Sequence, residues 1–410
     1  MSNKRSSSDD LDVSVVTPKR KMLQTTLTSS TAKPEVDCWR ISSSLLIYTH
    51  PDCIPSSKIL ALDMDGTIIT TASGRTFPKD CNDWKLLNDQ VRKKLEEYHC
   101  KSYKLVIMSN QSGVTKGHQD VSSFQIKVEN IVSKIGLPLQ CFYSILPDRN
   151  RKPLTGMWAE LETGCNGGVP ISKKDSLYCG DAAGRPAEGS RRKDHSCVDR
   201  LFALNLGLPF LTPEELWFGQ NGTGNFSLPA FNPNTLLQHV QPELPLFTQP
   251  AKTELIVMVG YPASGKSYFC RTVLAPLGYR IVSRDILGTW QKCVKSCSDS
   301  LSEGVSVVVD NTNLDVESRS RYIKVGREVN VPVRCFMMQT DVDHSRHNER
   351  FRYLTDPAHP HVNQMAFNML KSKYTPPALK EGFTELLSIP FILDRNHKDI
   401  SLYCMHLLER

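Results

Sequence analysis

The stretch Gly260-Tyr261-Pro262-Ala263-Ser264-Gly265-Lys266-Ser267 satisfies GxxxxGK[ST] at every position. It follows the apolar run ELIVMV and precedes YFCRTVL, which reads as a helix. Strand, glycine-rich turn and helix in that order build a phosphate cradle in an α/β unit with a parallel sheet. The N–H groups of the helix start then face the carboxyl end of the strand. All eight residues are candidate ATP contacts. Lys266 is placed to reach the β- and γ-phosphates, and Ser267 to ligate Mg²⁺.

Further strands follow in YRIVS, VSVVVD and VRCFMM. The first delivers Ser283-Arg284-Asp285. An aspartate beside a phosphate loop can deprotonate an acceptor hydroxyl, which marks a kinase rather than a switch or motor. Taken alone, Asp285 serves equally as a cap for the helix that follows. Asp310, at the end of VSVVV, stands where a Walker-B carboxylate would, ahead of Asn311-Thr312-Asn313. In HSRHNERFR, Arg346 and Arg350 share a face if helical and suit a lid over the transferring phosphoryl group. Glu349 and Asp356 offer the alternative of an ordinary charged face. His344 and His347 are read as surface histidines in preference to a metal pair.

In the first half, ILAL, KLVIM and SLYCG alternate with helical patterns such as VRKKLEEYH and SSFQIKVENIVSKIG, again a parallel sheet with crossover helices. The strand ILAL runs into Asp63-Met64-Asp65-Gly66-Thr67. Two carboxylates at a strand end can act as nucleophile and general acid, and both attract a divalent cation. A calcium loop is excluded by spacing, since its glycine and glutamate positions hold Ile68 and Gly74. Ser109-Asn110 ends the second strand, Lys152 precedes Pro153, and Asp181 follows the third strand. Singly, these are as readily a helix cap, a surface charge and a turn residue.

In this order they resemble the four motifs of haloacid-dehalogenase-type phosphatases. The resemblance implies that Asp63 attacks phosphorus and that Asp65 protonates the leaving oxygen and then activates water. It implies that Ser109, with Asn110, and Lys152 hold the phosphoryl oxygens. Mg²⁺ would be held by Asp63, the Asp65 carbonyl and Asp181. A cation and a lysine at this point offset the repulsion between a carboxylate nucleophile and a phosphate dianion.

With 410 residues, a formal charge of +7 and no apolar run near the ~20 residues of a membrane span, the chain reads as two folded domains. Residues 1–36 hold no aromatic residue and are expected to be a disordered tail. Its Thr17-Pro18-Lys19-Arg20-Lys21 is either a nuclear localisation signal or a solvated charge cluster, and the nucleus is the expected compartment. The phosphatase domain is expected at 37–225, a Gly/Asn/Pro-rich linker at 226–250, and the kinase domain, with a helical lid, at 251–410. Thirteen scattered cysteines without a CxxC are expected to be reduced.

A phosphatase module followed by a phosphate-loop kinase is similar to polynucleotide kinase 3′-phosphatases, a DNA end-healing family. LDMDGTIITTASGRTFP, KLVIMSNQSGVTKG, RKPLTGMW, YCGDAAGRPA, CVDRLFALNLGLPF, GYPASGKS, SRDILGTWQKC and DNTN carry the likeness. It implies removal of a 3′-phosphate and transfer of the ATP γ-phosphate to a 5′-hydroxyl, with Asp285 as base and Arg284 and Asp310 placing substrate. DNA strand-break ends are the expected partner, with repair-scaffold or ligase contacts through the tail, no membrane, and a monomeric state. Some 36 residues are too few for the forkhead-associated domain common in animal relatives. Ser109 stands where many relatives have Thr, and Ser264 where a small residue is usual. The basic stretch Arg185, Arg191, Arg192 and Lys193 is expected to contact DNA phosphates beside Asp181. The rival readings are small-molecule phosphoesters as substrates and a non-enzymatic DNA-end scaffold.

Overall fold

Four consecutive apolar residues, Ile59 to Leu62, are wholly buried because the strand they form is covered on both faces. The computed structural model describes residues 38–115, 117, 120–189, 191–220, 222, 224–238, 248 and 251–409. The expected tail with its basic run, and most of 239–250 in the expected linker, lie outside the described residues. Residues from Cys38 onward form one compact unit.

The strands of the first half are β1 (Trp39–Ile41), β2 (Leu45–Thr49), β3 (Ile59–Leu62), β4 (Ile69–Thr70), β5 (Lys85–Leu86), β6 (Lys104–Asn110), β7 (Leu139–Ser144), β8 (Leu177–Cys179) and β9 (Phe210–Leu211). Its helices are α1 (Gln90–Cys100), α2 (Ser112–Thr115), α3 (Val121–Ile135), α4 (Gly156–Gly164), α5 (Val198–Leu206) and α6 (Pro213–Phe218). The main sheet runs β1-β2-β7-β6-β3-β8-β9. From β7 to β9 it is parallel, while β2 joins β7 and β1 joins β2 antiparallel. Leu60 and Leu62 face one layer with Leu105, Ile107 and Phe124, whereas Ile59 and Ala61 face the other with Trp158 and Phe202. That is the two-residue period of a strand. Chain order reverses on either side of β3, so the carboxyl ends of β6, β3 and β8 open a crevice.

The second half adds β10 (Leu255–Val259), β11 (Arg280–Val282), β12 (Val307–Val309), β13 (Val333–Met338) and β14 (Glu385–Ile389). Its helices are α7 (Lys266–Phe269), α8 (Arg284–Leu287), α9 (Trp290–Ser302), α10 (Val316–Val329), α11 (Val342–Thr355), α12 (Gln364–Lys373) and α13 (Ile400–Tyr403). The sheet is parallel throughout, in the order β11-β12-β10-β13-β14. The central β10 carries the phosphate loop at its carboxyl end. Capping fixes where the helices start: Asp120, Asp315 and Asp341 accept the N–H groups of Ser123, Ser318 and His344.

The two halves meet along residues 399–409. Arg149 pairs with Asp399 at 3.2 Å and Arg151 with Glu409 at 2.7 Å. The Asn205 amide donates to the His406 carbonyl and accepts its N–H, at 2.9 and 2.8 Å.

Candidate active sites

The first site assembles at the ends of β3, β6 and β8. Lys152 is 2% exposed, and its ammonium gives all three hydrogens to the protein. They go to Asp63 Oδ1 at 2.6 Å, Asp199 Oδ1 at 2.7 Å and the Tyr178 hydroxyl at 2.7 Å. Burial alone would depress that ammonium, but Asp199 and Asp63 outweigh it and hold it above the ordinary lysine value. Burial pushes the Asp63 carboxyl up, against the pull of Lys152 and the Ser109 hydroxyl. The Asn110 side chain receives the Lys152 N–H and donates to its carbonyl, at 2.9 and 3.1 Å, so the β6 end fixes the lysine-bearing turn. Asp65 is more exposed, and Gln111 Nε2 bonds it at 2.7 Å while also reaching Ser109 Oγ at 3.1 Å. Buried Lys127 of α3 lies 3.7 Å from Asp65.

Asp63, Asp181 and Asp199 offer carboxylate oxygens within 4.8 Å of one another. Burial first, then the charges of Asp199 and Asp63, pushes Asp181 well above the usual carboxylate range. Three carboxylates against one lysine is a donor set that a divalent cation completes. Asp199 is the least available ligand. Its Oδ1 is occupied by Lys152 and by the Tyr178 hydroxyl at 3.0 Å, and its Oδ2 by the Ala182 N–H at 3.0 Å. Asp63 and Asp181 are therefore the carboxylates that fit a metal, and Asp199 orients Lys152. Space is tight here: a Cβ on Gly66 would lie 2.5 Å from Asp181 Oδ2, and that residue's φ of +80° also calls for glycine.

The second site is a cavity of about 390 Å³ between the phosphate loop, α11 and the 390–403 region. Ala263 to Ser267, Asp285, Asn348, Phe351 and Arg352 line it, with an apolar wall of Met338, Phe391, Ile392 and Leu393. Gly260, Tyr261 and Pro262 form the entering limb of the loop and do not line the cavity. Lys266 Nζ rests on the Tyr261 carbonyl at 2.6 Å and Ser264 Oγ at 3.3 Å, and burial lowers its pKa to about 8. Asp310 is 9% exposed, and its Oδ1 is buried with no hydrogen-bond partner among the described residues. An orphaned carboxylate oxygen close enough for its charge to act on Lys266 suits a metal-bound water. Arg284 is exposed outside the cavity, with its N–H on Asn311 at 2.9 Å.

Several expected residues lie elsewhere. Arg185 is only 3% exposed, its guanidinium shared between Asp194 and Glu214. It braces the Asp181 loop against α6, and with its side chain buried and paired to two carboxylates it is not a surface contact for a DNA phosphate. Arg191 pairs with Glu188 at 3.1 Å, so Arg192 and Lys193 are the exposed cations left in that stretch. Arg346 bonds Asp343 and faces a cavity with Phe231 and His406, and Arg350 donates to the Pro147 carbonyl at 3.2 Å. Both point away from the phosphate loop. The α11 arginine that lines the phosphate-loop cavity is Arg352, one turn beyond Asn348, and its charge helps depress Lys266. His344 and His347 are 7% and 2% exposed, not surface residues, and bond Tyr403.

Asp199, Tyr178, Asn348, Arg352 and Tyr403 are the site residues that sequence reasoning missed. Asp199 had one signal, an acidic residue in a helix first turn, which usually means only a favourable dipole.

Known proteins match both halves. The description "Polynucleotide kinase 3 phosphatase" fits residues 58–217, and "AAA domain" fits residues 255–377. The bifunctional polynucleotide phosphatase/kinase of Schizosaccharomyces pombe is 37% identical over 368 residues, spanning 88% of this chain and 86% of that one. The putative bifunctional polynucleotide phosphatase/kinase of Acanthamoeba polyphaga mimivirus is 30% identical over 393 residues, 88% of this chain and 92% of that one. With both centres present and both halves aligned, the chain belongs to the bifunctional polynucleotide phosphatase/kinase family.

Proposed function

We propose that this chain heals DNA strand-break ends, removing a 3′-phosphate at the first site and phosphorylating a 5′-hydroxyl from ATP at the second. The observation that carries this reading is the pairing, in one chain, of the Asp63–Lys152–Asp181 centre with a phosphate loop that shares its cavity with Asp285.

At the first site, Asp63 Oδ attacks phosphorus and the 3′-oxygen leaves with a proton from Asp65, giving an aspartyl-phosphate on Asp63. Asp65, now ionised and held by Gln111, takes a proton from the water that cleaves this bond. Lys152 must exchange one of its three bonds for a phosphoryl oxygen, and Asp199 and Tyr178 keep it in place while it does. Mg²⁺ held by Asp63, the Asp65 carbonyl and Asp181 would neutralise charge on the phosphate.

At the second site, Asp285 accepts the proton of the 5′-hydroxyl as its oxygen attacks the γ-phosphorus. Lys266 and the loop N–H groups hold the β- and γ-phosphates, with Arg352 across the cavity. Ser267 and Asp310 are the residues fitted to a second Mg²⁺.

The test is a nicked duplex with a 3′-phosphate and a 5′-hydroxyl, incubated with Mg²⁺ and ATP. Wild type converts both ends. Asp63→Asn loses only dephosphorylation and Lys266→Ala only phosphorylation. Wild type that leaves both ends untouched yet cleaves a small phosphomonoester would falsify the nucleic-acid assignment.

A further inference from the structure

A phosphate loop presents backbone N–H groups inward, so its carbonyls must be held from outside. Two buried side chains do this. Thr340 Oγ1 donates to the Ser264 carbonyl at 2.8 Å, and Asn348 Nδ2 donates to the Ala263 carbonyl at 2.9 Å. A peptide unit is planar and trans, so a fixed carbonyl sets the direction of the next N–H. The loop conformation needs such support. Ala263 sits at φ +57°, which a non-glycine residue holds only when its surroundings impose it.

The Asn348 amide is oriented in turn. Its Oδ1 accepts from the Tyr403 hydroxyl. That hydroxyl has one hydrogen and gives it to Asn348, so His344 Nε2, 2.9 Å away, carries the hydrogen it donates to Tyr403. His347 Nε2 holds the Tyr403 carbonyl at 2.8 Å, and the Tyr403 ring packs edge-on against His347 and Phe351. Tyr403, Asn348, His344 and His347 are all less than 9% exposed, so these bonds are largely shielded from bulk water.

We propose that Tyr403 is a positioning residue for the kinase reaction: acting through Asn348, it sets the Ala263 peptide and with it the grip of the loop on ATP phosphates. The proposal rests on the kinase reading of the second site.

Tyr403→Phe removes one hydroxyl and keeps the ring. The phosphatase reaction of the same polypeptide reports on folding, because among the described residues the bonds from 399–409 to the first half come from Asp399, Met405, His406 and Glu409 and none from Tyr403. The expected result is a KM for ATP raised about three- to tenfold, the size of one lost neutral hydrogen bond, with dephosphorylation unchanged. Asn348→Leu should raise KM at least as much, and adding Tyr403→Phe to it should change nothing further. An unchanged KM in Tyr403→Phe overturns the proposal, as do single effects that simply multiply in the double variant. Parallel loss of both activities in Tyr403→Phe also overturns it, since the hydroxyl would then support the fold at large. Wild type that transfers no phosphate from ATP instead removes the kinase reading itself.

Discussion

Two buried lysines sit in opposite electrostatic states. Lys152 is enclosed by Asp63 and Asp199 and is held above the ordinary lysine value. Lys266 meets a carbonyl and a hydroxyl, and burial takes it down to about 8. Only its ammonium form attracts phosphates, so kcat/KM for ATP should fall about tenfold per unit as pH rises beyond 8. Bound phosphates favour the ammonium, so kcat at saturating ATP should stay level to higher pH. Kinase rates from pH 7 to 9.5 with limiting and saturating ATP check this, and a flat kcat/KM counts against it. The residues legible in the sequence are those fixed by a local pattern: Asp63 and Asp65 just after β3, and Lys266 in its loop. Asp199 was not, because it meets Lys152 from 47 positions away and nothing near it signals a lysine partner.

Helix α11 shows what periodicity alone leaves undetermined. Spacing places Arg346 and Arg350 on one face and Asn348 and Arg352 on another. It does not say which face meets the loop. Tertiary packing decides, and it turns Arg346 and Arg350 toward the junction with the first half. Arg352→Ala should therefore lower the kinase kcat by about 10²–10³, the usual cost of removing one group that stabilises the transition-state charge. Arg346→Ala should leave kcat near wild type. The reverse ranking in steady-state assays of the two variants would return the lid role to Arg346. The strand core was readable for a plainer reason. Leu255 to Val259 and Ile59 to Leu62 are apolar runs bounded by turns, and burial on both faces requires that. The β1–β2 edge was not, since β1 is largely exposed and its short pattern resembles a loop.

At the scale of the whole molecule, His344 and His347 make the packing around residues 399–409 sensitive to acid. Burial lowers their pKa values to about 4 and about 3, below the 6.5 of an exposed imidazole. The unfolded chain takes up protons there that the folded chain refuses. Stability is full above pH 6.5 and declines toward those lower values, by at most about 1.4 kcal/mol per pH unit for each histidine. Melting temperatures measured from pH 7 to pH 5 should fall, and fall less steeply in His347→Gln. An identical slope in the variant would place the acid sensitivity elsewhere.

The bonds from Asp399 and Glu409 to Arg149 and Arg151 join positions 250 and 258 apart. During synthesis the first half therefore leaves the ribosome long before its partners at 399–409 exist. Its lysine-bearing turn waits without Glu409, and the phosphate loop waits without Tyr403. A translation stop before position 399 would take one brace from each catalytic loop, so the defect would not sort into one activity or the other.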